Sequence, residues 1–128
     1  MRSEKLYERL KQIALREYSD IVIDAEHLEN RLRVYFVDGS FLDVWFSRRI
    51  ENKYAYHWER RHINGTVYRW DNAAHSKWKN IETFPHHFHK GAADNVEPFQ
   101  PSESEEGTFR NILDFARKRL KPSEKLKM

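Results

Sequence analysis

Apolar residues along the chain fall into different spacings, and the changes between them mark the elements. From Glu4 to about Tyr18, Leu6, Leu10, Ile13 and Ala14 recur at helical intervals and Tyr7 widens the stripe, which predicts an amphipathic helix. From Asp20 the period drops to two. Ile21, Ile23 and Ala25 alternate with polar residues, as in a half-buried strand. Two more alternating runs flank Asp38-Gly39, with Leu32, Val34 and Phe36 in the first and Leu42, Val44 and Phe46 in the second. A two-residue turn sets these triplets on opposite faces of the sheet. An odd loop, such as three residues with a bulge, sets all six on one face and leaves Arg33, Tyr35, Asp43 and Trp45 on the other. The odd loop is therefore expected.

Asn64-Gly65 is a strong hairpin signal between Lys53–Arg61 and Thr66–Asn72. A two-residue turn there sets His62 opposite Val67, Arg60 opposite Arg69 and Trp58 opposite Asp71. Both resulting faces mix rings with charges, so the pattern does not select the buried one. Ala73–Gln100 contains Pro85, Gly91 and Pro98 with no sustained period, which predicts a loop. A loop of that length in a compact domain is more often functional than filler. Ser102 or Ser104 then opens a final helix, Ser102 and Glu105 having the spacing of a capping box. Phe109, Ile112, Leu113, Ala116 and Leu120 form its stripe, Pro122 ends it, and 122–128 read as a flexible basic tail. The expected fold is α+β in one domain, 1–128. An N-terminal helix precedes an antiparallel sheet of about five strands built from hairpins, followed by a long His-rich loop and a C-terminal helix. Both helices are expected on one sheet face.

Composition narrows the chemistry. With no cysteine in 128 residues, disulfides, thiolate metal sites and cysteine nucleophiles are excluded. No apolar run reaches membrane-span length, and Met1–Ser3 lead into a charged helix rather than a signal-peptide core. A cytoplasmic protein without membrane association is expected. The net charge is only +3, but it is unevenly spread. Residues 52–91 hold 7 Lys/Arg against 3 Asp/Glu, net +4, together with six of the seven histidines. Residues 92–107 hold 5 acidic groups and no basic one, and 108–128 hold 7 basic against 2 acidic. A basic, His-rich segment suits a phosphate-bearing partner, although the acidic loop would also pair with its basic neighbours.

Three pieces of the segment stand out: Tyr54–Trp58, Arg69–His75 and Thr83–His89. Cleaving RNA without a metal needs a base for the 2′-hydroxyl, an acid for the leaving oxygen and a cation for charge developing on phosphorus. His57 with one of His86, His87 or His89 can supply the first two, Arg69 the third, and Asp71 can orient an imidazole. Tyr56, Trp58, Trp70, Trp78 and Phe84 are candidate stacking surfaces for unpaired bases, with Asn72 and His75 as further substrate contacts. On this reading no cofactor is needed. Two alternatives stay open. One is a non-catalytic RNA- or protein-binding module. The other is a divalent-metal hydrolase with a zinc-like ion on His86, His87, His89 and Asp71, although the spacing matches no zinc signature. Each residue also has a plain structural role available: Arg69 with Asp71 as an ion pair, and Trp58 and Trp70 as packing.

Tyr56-His57, then Arg69-Trp70-Asp71-Asn72-Ala73-x-His75, then Thr83-Phe84-Pro85-His86-His87-x-His89 resemble the defining blocks of the TumE-like family of small prokaryotic toxins. The resemblance runs from the first helix to the last. It departs from the family's usual Asp-Asn-Ala-Pro-His-His at Ala74, where proline is expected, and at Ser76, where a second histidine is expected. What it implies is a toxin of a toxin–antitoxin pair with a small cognate antitoxin as partner. An RNA target follows from the His/Arg/Asp chemistry and the basic charge, helped by how often such toxins attack RNA. A homodimer is compatible with so small a domain.

Overall fold

The computed structural model describes residues 2–120. Among them, seven strands form one antiparallel sheet in chain order, flanked by a helix at either end. The elements are α1 (Arg2–Glu17), β1 (Val22–Leu28), β2 (Arg31–Phe36), β3 (Phe41–Phe46), β4 (Tyr54–Arg60), the one-turn α2 (Arg61–Asn64), β5 (Thr66–Asp71), β6 (His87–Gly91), β7 (Val96–Pro98) and α3 (Glu105–Arg119). The expected tail, 122–128, and the stop at Pro122 lie outside the described residues. No helix among those described is long and apolar enough to cross a membrane.

Both long helices lie on one sheet face, as their stripes require. Leu6, Tyr7, Leu10, Ile13 and Ala14 of α1 and Phe109, Ile112, Leu113 and Ala116 of α3 are buried with Leu32, Val34, Leu42, Val44, Tyr56, Trp58, Trp70 and Phe88. Phe115 sets its edge against the rings of Trp58, Trp70 and Phe88, and those contacts seat α3 over β4–β6. Ser104, not Ser102, caps α3: its hydroxyl accepts from the Gly107 N–H at 3.0 Å. Ser104→Ala removes that bond and is expected to cost about 1 kcal/mol, a loss of several degrees in Tm measurable by circular dichroism.

The β2–β3 loop is the odd one expected. Phe36 N–H donates to Ser40 O at 2.9 Å across Val37-Asp38-Gly39, and Gly39 sits at φ 89°, where a side chain would be strained. The six apolar residues accordingly share the helix side.

Three expectations need correction. In β1 the register shifts between Val22 and Asp24, so Val22 turns inward and Ile23, expected in the core, is 62% exposed. The β4–β5 connection is not a two-residue turn. Residues 61–64 form a helical turn closed by Gly65 at φ 79°, while Glu59 accepts from the Arg61 backbone N–H and guanidinium. Trp58 therefore pairs with Tyr68 and His57 with Arg69. The register differs from the expected one by three residues, an odd number, so the faces regroup: rings go to the helix side and charges to the other. Finally, the sheet has seven strands rather than about five. The presumed loop ends at His86, and His87 and His89 belong to β6, paired with β5. Only Phe88 of β6 enters the core, so no apolar alternation announced that strand.

Candidate functional site

The sheet face opposite α1 and α3 carries the chemistry. Strand register lines up two cross-strand rows on it. One runs Arg33–Asp43–His57–Arg69–His89, the other Trp45–Ala55–Asp71–His87. Directly paired residues of neighbouring strands hold their Cβ atoms close enough for side chains to touch. Ala55 presents only a methyl group between Trp45 and Asp71. The space above it is an open cleft of about 390 Å³ walled by Arg31, Asp43, Trp45, His57 and Arg69.

Asp71 is the hub. It is buried, and its Oδ1 lies 3.0 Å from His87 Nε2 and accepts from the Ala73 backbone N–H at 3.0 Å. Its Oδ2 accepts from Arg69 Nε at 2.9 Å and lies 3.7 Å from His89 Nε2. Each imidazole is anchored from behind. His87 Nδ1 donates to Pro85 O at 2.9 Å and His89 Nδ1 to Ala93 O at 2.7 Å. Burial pushes the His89 pKa below its ordinary value, against the opposing pull of the Ala93 carbonyl and the Asp71 charge. Trp78, in a short 3-10 turn of the loop before β6, has its ring centroid 5.8 Å from that of His89 and 6.1 Å from that of His87.

Arg69 connects this hub to a second group. Its Nη1 points at His57 Nδ1, 3.4 Å away, while His57 Nε2 donates to Glu59 Oε1 at 3.1 Å. The Arg61 guanidinium, bonded to both Glu59 oxygens, holds that carboxyl well below the usual carboxylate range. Glu59 thus stays charged and fixes the tautomer of His57, leaving the Nδ1 lone pair on the Arg69 side.

Not every expected residue joins. His86 is on the helix side, its Nδ1 hydrogen-bonded to the Tyr54 hydroxyl at 2.8 Å and its ring stacked on Tyr54. Burial lowers its pKa. With its ring held against Tyr54 on the helix side, His86 cannot join His87, His89 and Asp71 in a four-ligand set. Tyr56, Trp58 and Trp70 are buried beneath the helices and offer no ring to a base. Asn72 staples two loops, accepting from Tyr54 N–H and donating to Asn52 O. His75 is exposed and accepts from Lys77 N–H at the start of the 3-10 turn. Ala74 and Ser76 are exposed beside it, so those departures from the family pattern take nothing from the Asp71 hub. The sequence reading missed Trp45, Arg31 and Glu59 as site residues. Trp45 and Arg31 were within reach through their position opposite the apolar triplets, but their link to His57 depended on the β4–β5 register.

Asp71, His87 and His89 each present one ligand atom, all within 4.8 Å of one another, a spacing from which they could hold a metal ion. A family model described as toxin TumE matches residues 4–120. No curated protein and no solved structure matches the chain.

Proposed function

Because the chain belongs to the TumE toxin family, it is read as the toxin of a toxin–antitoxin pair, and we propose that it acts by cleaving RNA on the sheet face opposite its helices. The observation that carries this reading is the His57–Arg69 pair at the edge of the cleft. The guanidinium of Arg69 is hydrogen-bonded to the imidazole lone pair at 3.4 Å, and both groups line the same open cleft, from which a 2′-hydroxyl and its adjacent phosphate can displace that contact and take one partner each. His57 Nδ1 takes the 2′-hydroxyl proton, and the 2′-oxygen attacks phosphorus. Arg69, its Nε held by Asp71, stabilises the charge that develops. The 5′-oxygen leaves with a proton taken from water in the open cleft, and His57 gives its own proton back to solvent, leaving a 2′,3′-cyclic phosphate and a 5′-hydroxyl. Half-buried Trp45 on the cleft wall supplies the stacking surface that Tyr56, Trp58 and Trp70 cannot, and Arg31 supplies a second phosphate contact. The net positive charge of residues 52–91 suits the same partner.

The test compares RNA integrity in cells after brief induction of wild type and His57→Ala. Fragmented RNA with cyclic phosphate ends is expected from wild type only, with both proteins folded by circular dichroism. Growth arrest by wild type with RNA intact would reject the nuclease reading. Equal cleavage by His57→Ala would reject the role of His57.

A further inference from the structure

We propose that Asp71, His87 and His89 form a binding site for one divalent first-row metal ion, taken by Nε2 of each imidazole and by the carboxylate. The Nδ1–H of both histidines is committed to a backbone carbonyl, Pro85 O for His87 and Ala93 O for His89. In the neutral rings the lone pairs therefore sit on Nε2, and both Nε2 atoms are turned towards the Asp71 carboxylate. Two lone pairs and an anion directed at one another repel, and a cation among them turns that repulsion into coordination. Backbone carbonyls behind ligating imidazoles are the usual means of fixing the ligand tautomer.

The separations fit. Asp71 Oδ1 to His87 Nε2 is 3.0 Å and Asp71 Oδ2 to His89 Nε2 is 3.7 Å. Metal–ligand bonds of about 2.1 Å place neighbouring ligand atoms roughly 3.0–3.4 Å apart. Taking one ligand atom from each residue, all three lie within 4.8 Å of one another, so the rings close by up to about 1.4 Å to reach that spacing. Arg69 also bonds Asp71 Oδ2, but its side chain is 42% exposed, so solvent screens its charge. Two imidazoles and one carboxylate select a borderline ion of the zinc, cobalt or manganese kind over magnesium or calcium, which prefer all-oxygen shells. Three protein ligands leave positions open, as in catalytic rather than structural sites. The ion would give the proposed nuclease an electrophile on the Asp71 side of the cleft, yet binding stands on the ligand geometry alone.

The experiment titrates the full chain, stripped with a chelator and dialysed, with Co²⁺ and with Zn²⁺. Calorimetry is expected to give one equivalent, and bound Co²⁺ a visible spectrum of low coordination number. Quenching of tryptophan fluorescence by Co²⁺ should be largely lost in Trp78→Phe, since Trp78 is beside both rings. His89→Ala is expected to weaken binding by roughly 100-fold or more. Being at the more open edge of the site, it should still fold, unlike variants of buried His87. His62→Ala, in the exposed β4–β5 turn, should bind as wild type does. No saturable binding by wild type, or undiminished binding by His89→Ala, would overturn the proposal. RNA cleavage assayed on the stripped and loaded protein keeps the two ideas apart. Binding without cleavage removes the nuclease and leaves the metal site, whereas cleavage without binding does the reverse.

Discussion

Arg69→Ala should slow RNA cleavage by about 10²–10³-fold, the usual loss when one preorganised partner of transition-state charge is removed. Arg69 is placed for this by bonds at both ends of its guanidinium, Nε to Asp71 Oδ2 and Nη1 towards His57 Nδ1. Its charge is met fully only when phosphorus gathers five oxygens, so kcat should fall much more than KM rises. Single-turnover cleavage of a short RNA, followed from below to above saturation, makes that separation. Arg69→Lys keeps the charge but loses the planar fork, and should recover only part of the rate. Arg69 is itself 42% exposed, but its loss leaves buried Asp71 Oδ2 without that donor, so Tm should fall by several degrees, and rates are compared well below the transition. A wild-type rate in Arg69→Ala would move the chemistry away from this row of residues.

Trp58→Ala should destabilise the domain by about 3–5 kcal/mol, the cost of emptying a large aromatic site in a packed core. Trp58 is fully buried, stacked on Tyr68 with ring centroids 5.2 Å apart and set edge-on to Phe36 and Phe115. Its Nε1 donates to Ser40 Oγ at 2.9 Å, so truncation also removes the donor to a buried hydroxyl that itself donates to Asp38. Against a whole-domain stability of roughly 5–15 kcal/mol, this is enough to bring unfolding close to ambient conditions. Urea unfolding of Trp58→Ala and Trp58→Phe measures it. The phenylalanine variant keeps most of the packing and should lose much less. A change below about 1 kcal/mol in Trp58→Ala would contradict the core assignment. The same pair of variants tests the discarded stacking role: the fraction still folded should cleave RNA at the wild-type rate, because Trp58 does not reach the cleft.

The parity of the β2–β3 loop was legible because burial admits one answer. Six apolar residues in two alternating runs can share a face only across an odd loop, and Val37-Asp38-Gly39 supplies it. Both helices were legible for the same reason, each having one continuous stripe to bury. Strand β6 was not. A strand whose inward residue is Phe88 alone, and whose outward residues are His87 and His89, has a pattern indistinguishable from a polar loop. Its place is fixed by pairing with β5 and by Phe88 packing on Trp70 at 4.6 Å.

The candidate site shows the same division. Sequence by itself determined which residue types were concentrated in 54–89, the basic charge around them, and the family whose blocks they resemble. It could not say which of those residues meet, because that depends on register, and register at Asn64-Gly65 turned on a tertiary contest. A tight turn was locally favourable, but a five-residue loop clamped by Glu59 and Arg61 let Trp58 and Trp70 go under α3 together. Side chains alternate faces along a strand, so that odd shift decided every neighbour at once. It joined His57 to Arg69 and took Trp58 and Trp70 out of the site together, while the separate pairing of β5 with β6 joined Asp71 to His87 and left His86 behind with Tyr54.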